Sequence, residues 1–157
     1  MAASPPVIVR GEGRRLQDTA GRWYWDGSSS IWLNVHGHRD PDLDASIREQ
    51  IDRIAHSTLL GAGNVPASVL AKRLVDVTPE GLERVFFSDS GATAVEIALK
   101  AAIQFFANQD RAEKRHVVGF TENYHGDTIG AMSVAPDRVF HGPFLPVRPR
   151  QPKSPGP

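Results

Sequence analysis

The chain has 157 residues, of which 40% are apolar and 23% charged, with 18 basic residues against 18 acidic ones. This length suits one ordinary domain, and the neutral balance gives no electrostatic reason to bind nucleic acid or an anionic membrane. There is no cysteine, which excludes disulfides, thiolate metal sites and cysteine nucleophiles. The N-terminus has no signal-like apolar core and no 18 apolar residues run together, so we expect a cytoplasmic protein. We also expect no metal centre.

The first predicted region, residues 1–57, contains a short hairpin and a helix. For residues 1–15 we expect an irregular lead-in. Thr19-Ala20-Gly21 then separates Leu16–Asp18 from Arg22–Trp25, which predicts a hairpin with aromatic side chains on its second arm.

Two amphipathic helices follow the hairpin. The first is predicted over residues 41–57, because Asp40 can cap it and Pro41 suits the first helical position. The second opens at Pro66. The apolar residues of the first helix recur at helical spacing: Leu43, Ile47, Ile51 and Ile54.

Residues 58–142 predict part of a larger α/β domain. Two short buried strands are expected at 85–87 and 116–120, with a helix at 91–107 between them. A loop and a short helix follow at 121–133. The order strand, helix, strand, helix indicates a βαβ unit and a parallel sheet.

The helix at 91–107 is amphipathic. Glu96 and Lys100 are expected to pair on its exposed side. The apolar stripe that should pack on the sheet consists of Val95, Ala98, Leu99, Ala102, Ile103 and Phe106.

The last region, residues 143–157, holds six of the chain's twelve prolines and no acidic residue. Such a segment cannot form a core, so we predict a disordered Pro/Arg-rich tail. A further hypothesis is that its basic residues bind an acidic partner.

The turn Ser88–Glu96, between the first strand and its helix, suits an anion. Free backbone N–H groups and the positive end of the helix dipole meet at such a turn. Gly91 lets a ligand approach the backbone, and the hydroxyls of Ser90 and Thr93 can add hydrogen bonds. The alternative is that Asp89 or Ser90 only caps the helix and nothing binds.

The loop Thr121–Ser133 should emerge at the same edge of the sheet, where open α/β sheets bind ligands. Tyr124 supplies a ring that can stack on a planar heterocycle, His125 a polar contact, and Gly126 the room for both. The alternative is a tyrosine that packs on its own helix and an ordinary surface histidine. The occurrence of both features on one βαβ unit favours a binding site.

Two sequence strings resemble a known family. Ser88-Asp89-Ser90-Gly91-Ala92-Thr93-Ala94-Val95-Glu96 and Tyr124-His125-Gly126-Asp127-Thr128-Ile129-Gly130-Ala131-Met132-Ser133 resemble the two N-terminal cofactor motifs of class III aminotransferases that depend on pyridoxal 5'-phosphate (PLP). The resemblance runs from about residue 10 to about residue 145 and matches the first third of a family member. It implies the N-terminal part of a fold-type I α/β domain, with a partial parallel sheet and packed helices.

The resemblance also implies which residues hold the cofactor. The backbone N–H groups of Gly91 and Ala92 would bind the PLP phosphate, and the ring of Tyr124 would stack on the pyridine. Their neighbours in the site would be Ser90, Thr93, His125 and Gly126.

The segment Asp26–His38 resembles a substrate-contacting part of the same family, so Trp32 together with Tyr124 would line the substrate pocket. The string YHGDTIGAMS is most similar to the members of biotin biosynthesis. That similarity implies S-adenosylmethionine as amino donor, 8-amino-7-oxononanoate as acceptor, and a homodimer for the full-length family. Ala92 and Ile31 stand where the family often has a hydroxyl residue and a tryptophan. Other class III enzymes share the general plan, so other amino donors stay open.

The lysine that forms the internal aldimine with PLP has no counterpart that we can identify. The four lysines, Lys72, Lys100, Lys114 and Lys153, lie on helix faces, in a charged linker and in the tail. No Asp-Glu pair follows a predicted strand, although the family's pyridinium-binding carboxylate lies in such a motif. We therefore expect no catalytic residue and no turnover by this chain alone, as a frameshift or premature stop would produce. Two hypotheses remain. The first is a truncated, poorly stable aminotransferase. The second is a non-catalytic module that binds PLP or phosphate, or that acts as a partner of intact subunits.

Overall fold

The computed structural model describes residues 4–120, 123–134 and 138–147, and the chain divides after Lys72 into two compact units. The predicted boundaries at residues 57 and 142 stay predictions. The strands are β1 (Ile8–Glu12), β2 (Arg15–Asp18) and β3 (Trp23–Trp25). The helices are α1 (Ser29–Trp32), α2 (Pro41–Arg53), α3 (Val65–Val77), α4 (Gly91–Ala107), α5 (Ile129–Val134) and α6 (Arg138–His141), followed by a 3-10 helix (Gly142–Val147).

The three strands form one antiparallel sheet in the order β1-β2-β3. The hairpin of β2 and β3 confirms the prediction from Thr19-Ala20-Gly21. The expectation of an irregular lead-in is wrong for residues 8–12, because β1 forms there and pairs with β2. A register shift between Ile8 and Arg10 interrupts the period of two, which explains why the strand has no clear alternating pattern.

The start of α2 is as predicted, since the Asp40 carboxylate accepts hydrogen bonds from the amides of Asp42 and Leu43, both at 3.1 Å. The helix ends at Arg53, four residues before the predicted end, because the backbone of Ile54 is extended. The apolar stripe of α2 is exposed within the described residues: Leu43, Ile47, Ile51 and Ile54.

The bounds of α4, Gly91–Ala107, are those predicted. The expected strands at 85–87 and 116–120 are not formed, since the only sheet in the described residues is the antiparallel one of the first unit. A strand exists only with a hydrogen-bonded neighbour, and neither segment has one in this part of the chain. The apolar residues at 85–87 and 116–120 are suited to a sheet, but these segments do not form the predicted parallel pairing.

The tightly packed part of the second unit is α5. Among the described residues, the buried apolar side chains are Ala131, Met132 and Val134, and all three belong to this helix. The backbone carbonyl of Val134 also lies so close to Gly119 that a side chain at Gly119 would overlap it. The stripe of α4 has no buried member.

The prediction of a disordered tail is wrong for residues 143–147, which belong to the 3-10 helix Gly142–Val147. Prolines restrict φ to values that such a tight helix accepts, so proline content alone did not exclude it. Residues 148–157 of the predicted tail lie outside the described residues.

Candidate functional site

The N-terminus of α4 is closed by a reciprocal cap. The Ser90 hydroxyl accepts from the Thr93 amide at 3.2 Å, and the Thr93 hydroxyl accepts from the Ser90 amide at 2.9 Å. The Thr93 hydroxyl also donates to the Ser90 carbonyl at 2.9 Å. Ser90 thus caps the helix, as one alternative predicted, and Thr93 is committed to the backbone of Ser90 rather than directed outward.

The cap leaves two amides without a partner. In the first turn of a helix the N–H groups have no intrahelical acceptor, and the described residues offer none to Gly91 or Ala92. Both N–H groups lie at the positive end of the dipole of a 17-residue helix. The pair is therefore a ready binding site for an anion such as phosphate.

The Tyr124 loop packs directly on this helix start. Gly126 is buried with φ +116°, and a Cβ at this position would overlap the Cβ of Ala92 and lie 2.9 Å from its Cα. Only glycine combines that backbone conformation with so close an approach. The contact places the loop beside the free amides of α4 across a separation of 34 residues.

Tyr124 is held from three sides. Its ring stacks on the buried His141, with centroids 5.6 Å apart and an interplanar angle of 21°, and meets Phe140 edge-on at 6.0 Å. Its hydroxyl donates to Asp127, which raises the pKa of Tyr124. With 52% of its surface exposed, Tyr124 still offers area for a ligand.

Asp127 is the charged group of this loop. The hydrogen bond from the Tyr124 hydroxyl, followed by that of His141 Nε2 at 3.1 Å, holds the pKa of Asp127 below its ordinary value. The carboxylate is mostly exposed, at 76% of its side-chain surface. It therefore stays ionised at neutral pH and favours a cationic group of a ligand.

Glu96 joins α4 to α5. Its carboxylate accepts from the Thr128 hydroxyl at 2.6 Å and from the Gly130 amide at 2.8 Å. Hydrogen bonding by Thr128 and then by the backbone of α5 lowers the pKa of Glu96. The predicted surface pair of Glu96 with Lys100 is wrong, because the carboxylate caps the start of α5 and Lys100 adds only a weaker attraction.

These elements enclose an open depression of about 740 Å³. The residues that line it are Ser90, Gly91, Ala92, Val95, Tyr124, His125, Gly126, Asp127 and Thr128. The structure thus brings together six of the predicted cofactor residues and leaves Thr93 at the edge. It adds Val95, Asp127 and Thr128, which the spacing around Tyr124 and Gly91 could have indicated. Trp32 belongs to the first unit, where it is 84% exposed.

Within residues 4–120, 123–134 and 138–147, no three side chains of metal-binding type cluster together. In the same ranges, no helix has the length and apolar character needed to cross a membrane.

Comparison with known proteins gives one family. The family model described as aminotransferase class-III matches residues 2–157. An adenosylmethionine-8-amino-7-oxononanoate aminotransferase of Anoxybacillus flavithermus is 52% identical over 153 residues, which are 98% of this chain and 34% of the relative. A protein of the same name from Nitratidesulfovibrio vulgaris is 50% identical over 94% of this chain and 28% of its own length. The chain thus spans about a third of the length of the curated relatives it matches.

Solved structures agree with this comparison. The adenosylmethionine-8-amino-7-oxononanoate aminotransferase of Methanocaldococcus jannaschii superposes with a TM-score of 0.91 at 46% identity, over 95% of this chain and 34% of that one. An amine transaminase from an uncultivated Pseudomonas species, solved in a PLP-bound form, gives a TM-score of 0.80 at 30% identity, over 90% and 32% of the two chains. The described residues therefore have the fold of the N-terminal part of a fold-type I aminotransferase, as predicted.

Proposed function

Because the chain belongs to the class III aminotransferases, we propose that it supplies the phosphate-binding and ring-stacking half of a PLP site. The observation that carries this proposal is the contact of Gly126 with Ala92. That contact places the exposed Tyr124 ring beside the two free amides at the start of α4. A phosphate and a planar ring joined by a short link match these two features.

The residues present fit the cofactor. The Gly91 and Ala92 amides can donate to phosphate oxygens, and among the described residues no side chain occupies the space that a Cβ at Gly91 would take. The 740 Å³ depression is open enough to admit the ring. PLP, when bound, withdraws electrons from the substrate carbon that carries the amino group.

The protein groups have separate tasks in this proposal. The α4 amides would hold the phosphate, and Tyr124 would stack on the ring and exclude water from it. His141 and Asp127 keep the Tyr124 ring in one orientation through the stacking and hydrogen bonds described above. The nine lining residues include no lysine, so the proton-transfer groups of the family are not supplied by this depression.

For the whole reaction we propose transfer of an amino group from S-adenosylmethionine to 8-amino-7-oxononanoate, which gives 7,8-diaminononanoate. The names of relatives that are 46–52% identical support this assignment. We further propose that Trp32 contributes to the substrate wall, since it is a large apolar side chain left 84% exposed. Cytoplasmic location stays a prediction, for which cell fractionation is the test.

Gly91→Ala tests the cofactor site. The new Cβ enters open space and alanine favours the helix, so folding should be retained. The methyl group stands where a phosphate must approach, and we expect PLP affinity, measured by equilibrium dialysis, to fall about tenfold, or about 1.4 kcal/mol. Gly63→Ala is the matched control, because a Cβ there also enters open space. Equal affinity in both variants, or no PLP binding by the unaltered chain, would contradict the proposal.

The absence of lysine from the nine lining residues favours a second candidate, a non-catalytic PLP-binding module. Borohydride treatment tests whether PLP bonds to a lysine of this chain. If PLP is removed by dialysis after reduction, no such bond was present, and a cooperative thermal transition of the same chain would then favour the module over an unstable part of an aminotransferase. If it stays attached, one of the four lysines has been misjudged.

We also propose that the chain assembles as a homodimer. The exposed stripe of α2, in which Leu43, Ile47 and Ile51 are 50%, 61% and 59% exposed, supports this because such a surface is stabilised when another surface covers it. Light scattering coupled to gel filtration should give the mass of two copies. The mass of one copy across the concentration range would contradict it.

A further inference from the structure

The helical turn α1 is left-handed. Ser29, Ser30, Ile31 and Trp32 have φ values of 51°, 50°, 62° and 68°, although none of them is glycine. The Trp32 amide donates to the Ser28 carbonyl at 2.8 Å, and the Leu33 amide to the Ser29 carbonyl at 3.0 Å. This conformation brings Cβ close to the following carbonyl, and a β-branched residue such as Ile31 suffers most. The turn therefore needs support from outside itself.

Asp26 supplies that support. One carboxylate oxygen accepts from the Ser30 amide at 2.8 Å, and the other accepts from the Ser30 hydroxyl at 2.8 Å. The second oxygen also lies 2.8 Å from Nε2 of His38. Only 6% of the Asp26 side chain is exposed. Hydrogen bonding by Ser30, with His38 as a smaller cause, keeps the pKa of Asp26 below its ordinary value, so the carboxylate is charged at neutral pH.

His38 is itself fixed by two glycines of the sheet edge. Its imidazole covers Gly11, where a Cβ would lie 2.7 Å from the ring carbon Cγ. Its backbone pairs with Gly13 through hydrogen bonds of 2.6 and 3.1 Å. The support of α1 thus extends from β1 through His38 to Asp26 and ends at Ser30.

The side chains that this support presents are apolar and open to solvent. Ile31, Trp32 and Leu33 are 76%, 84% and 78% exposed. An unfavourable backbone and exposed apolar side chains both reduce stability. Their occurrence together, on a turn held by a buried charged network, is typical of a segment kept for binding rather than for folding.

We propose that Asp26 and His38 are positioning residues, which lock α1 in its left-handed form and so fix the position of the Trp32 side chain that is proposed above for the substrate wall. The identity of the ligand rests on the proposed function, whereas the locking of α1 does not. The two parts are tested separately.

Amide hydrogen exchange of the full chain tests the lock without any ligand. In Asp26→Ala, the amides of Ser30, Trp32 and Leu33 should exchange more than about tenfold faster, because the turn loses its support. The Ile54 amide, which donates to Gln50 within the same unit, should be unchanged. Asp26→Asn keeps an acceptor for the Ser30 amide and should restore part of the protection. Unchanged exchange in α1, or equal loss in α1 and at Ile54, would overturn the proposal.

Ile31→Gly and Ile31→Ala test the unfavourable backbone. Both remove an exposed side chain, but only glycine accepts φ of 62° without strain. The glycine variant should therefore have the higher Tm. At Ile47, which is similarly exposed at 61% but lies in the right-handed α2, the alanine variant should have the higher Tm. If the alanine variant has the higher Tm at Ile31 as well as at Ile47, α1 is not held left-handed.

Tryptophan fluorescence then tests the ligand part, with 8-amino-7-oxononanoate as the probe and nonanoate as a chain-length control. Asp26→Ala and Gly11→Ala, which displaces His38, should each weaken binding about tenfold or more. Asp52→Ala, an exposed aspartate of α2, is the control and should bind normally. Binding that is equally strong in all variants would overturn the positioning role. If the unaltered chain binds neither compound, the proposed substrate is wrong, while the exchange result still decides whether Asp26 locks α1.

Discussion

In the two compact units, buried or partly buried carboxylates form hydrogen bonds over very different distances along the sequence. In the first unit, Asp18 bonds to residues two to six positions away, and Asp26 reaches Ser30 and His38. In the second unit, Glu96 bonds to Thr128 and Gly130, 32 and 34 positions away. The hydrogen bonds of Asp18 and Asp26 are therefore more local, whereas the candidate cofactor site depends on closing a loop of more than thirty residues.

This difference has a consequence for stability. Local contacts form at little entropic cost and should survive when the rest of the chain is perturbed. The contact of α5 with α4 has to overcome a larger entropy, and it does so with one carboxylate and three buried apolar side chains. We expect the site to open before the hairpin does.

The largest expected effect is that of Asp18→Asn. Only 2% of Asp18 is exposed, and its carboxylate accepts from the Ala20 and Arg22 amides, the Arg22 side chain and the Tyr24 hydroxyl. Asparagine keeps the size but replaces one acceptor by a donor. We expect the Tm of the first unit, followed by the near-ultraviolet circular dichroism of its tryptophans, to fall by about 5 °C or more. Asp52→Asn, on the exposed surface of α2, should change little; an equal loss in both would contradict a special role for Asp18.

Acid should remove the stabilisation that the Asp18 carboxylate provides. The hydrogen bond of Tyr24, with those of Arg22, lowers the pKa of Asp18 from its ordinary value of 3.8 to about 2. Because the pKa of the folded state is the lower one, this stabilisation is complete above about pH 4 and is lost as the pH falls towards 2. The Tm of the unaltered chain should therefore fall over this interval more steeply than that of Asp18→Asn. Parallel curves would show that Asp18 is not responsible.

A smaller effect is expected for the long-range contact in the second unit. Glu96→Gln weakens the acceptor of Thr128 and Gly130, and Thr128→Val removes one donor at the same site. Each should lower the free energy of unfolding by about 1–2 kcal/mol, and a double-mutant cycle should give a coupling of about 1 kcal/mol. If the two changes are additive, the 2.6 Å hydrogen bond does not hold α5 to α4.

The smallest effect is expected on the surface of α2. Arg53 and Glu49 form an ion pair in which both side chains are 67% exposed. Arg53→Gln should therefore change the free energy of unfolding by no more than about 0.5 kcal/mol, and added salt should reduce even that. Urea denaturation at low and high salt is the measurement, and a loss above 1 kcal/mol would show that the pair is part of a larger contact.

The sequence predicted best where the signal and its partner lie close together. The Asp40-Pro41 start of α2, the hairpin turn and the bounds of α4 follow from capping, turn and periodicity rules that act within a few residues. The same rules missed β1, whose pattern is broken by a register shift, and gave strands at 85–87 and 116–120 that pair with nothing in the described residues. Pairing is a property of two segments, and periodicity reports only one.

The order of the two cofactor motifs, the family and the helix start that suits phosphate were determined by the sequence itself, because residue types in fixed local spacing carry them. Tertiary structure alone decided that Gly126 lies against Ala92, that Glu96 caps α5 instead of pairing with Lys100, and that Asp26 and His38 support α1. The contacts of Gly126 with Ala92, of Glu96 with α5 and of Asp26 with His38 join residues 12 to 34 positions apart. Whether such residues meet depends on the path of the chain between them, which no local pattern records.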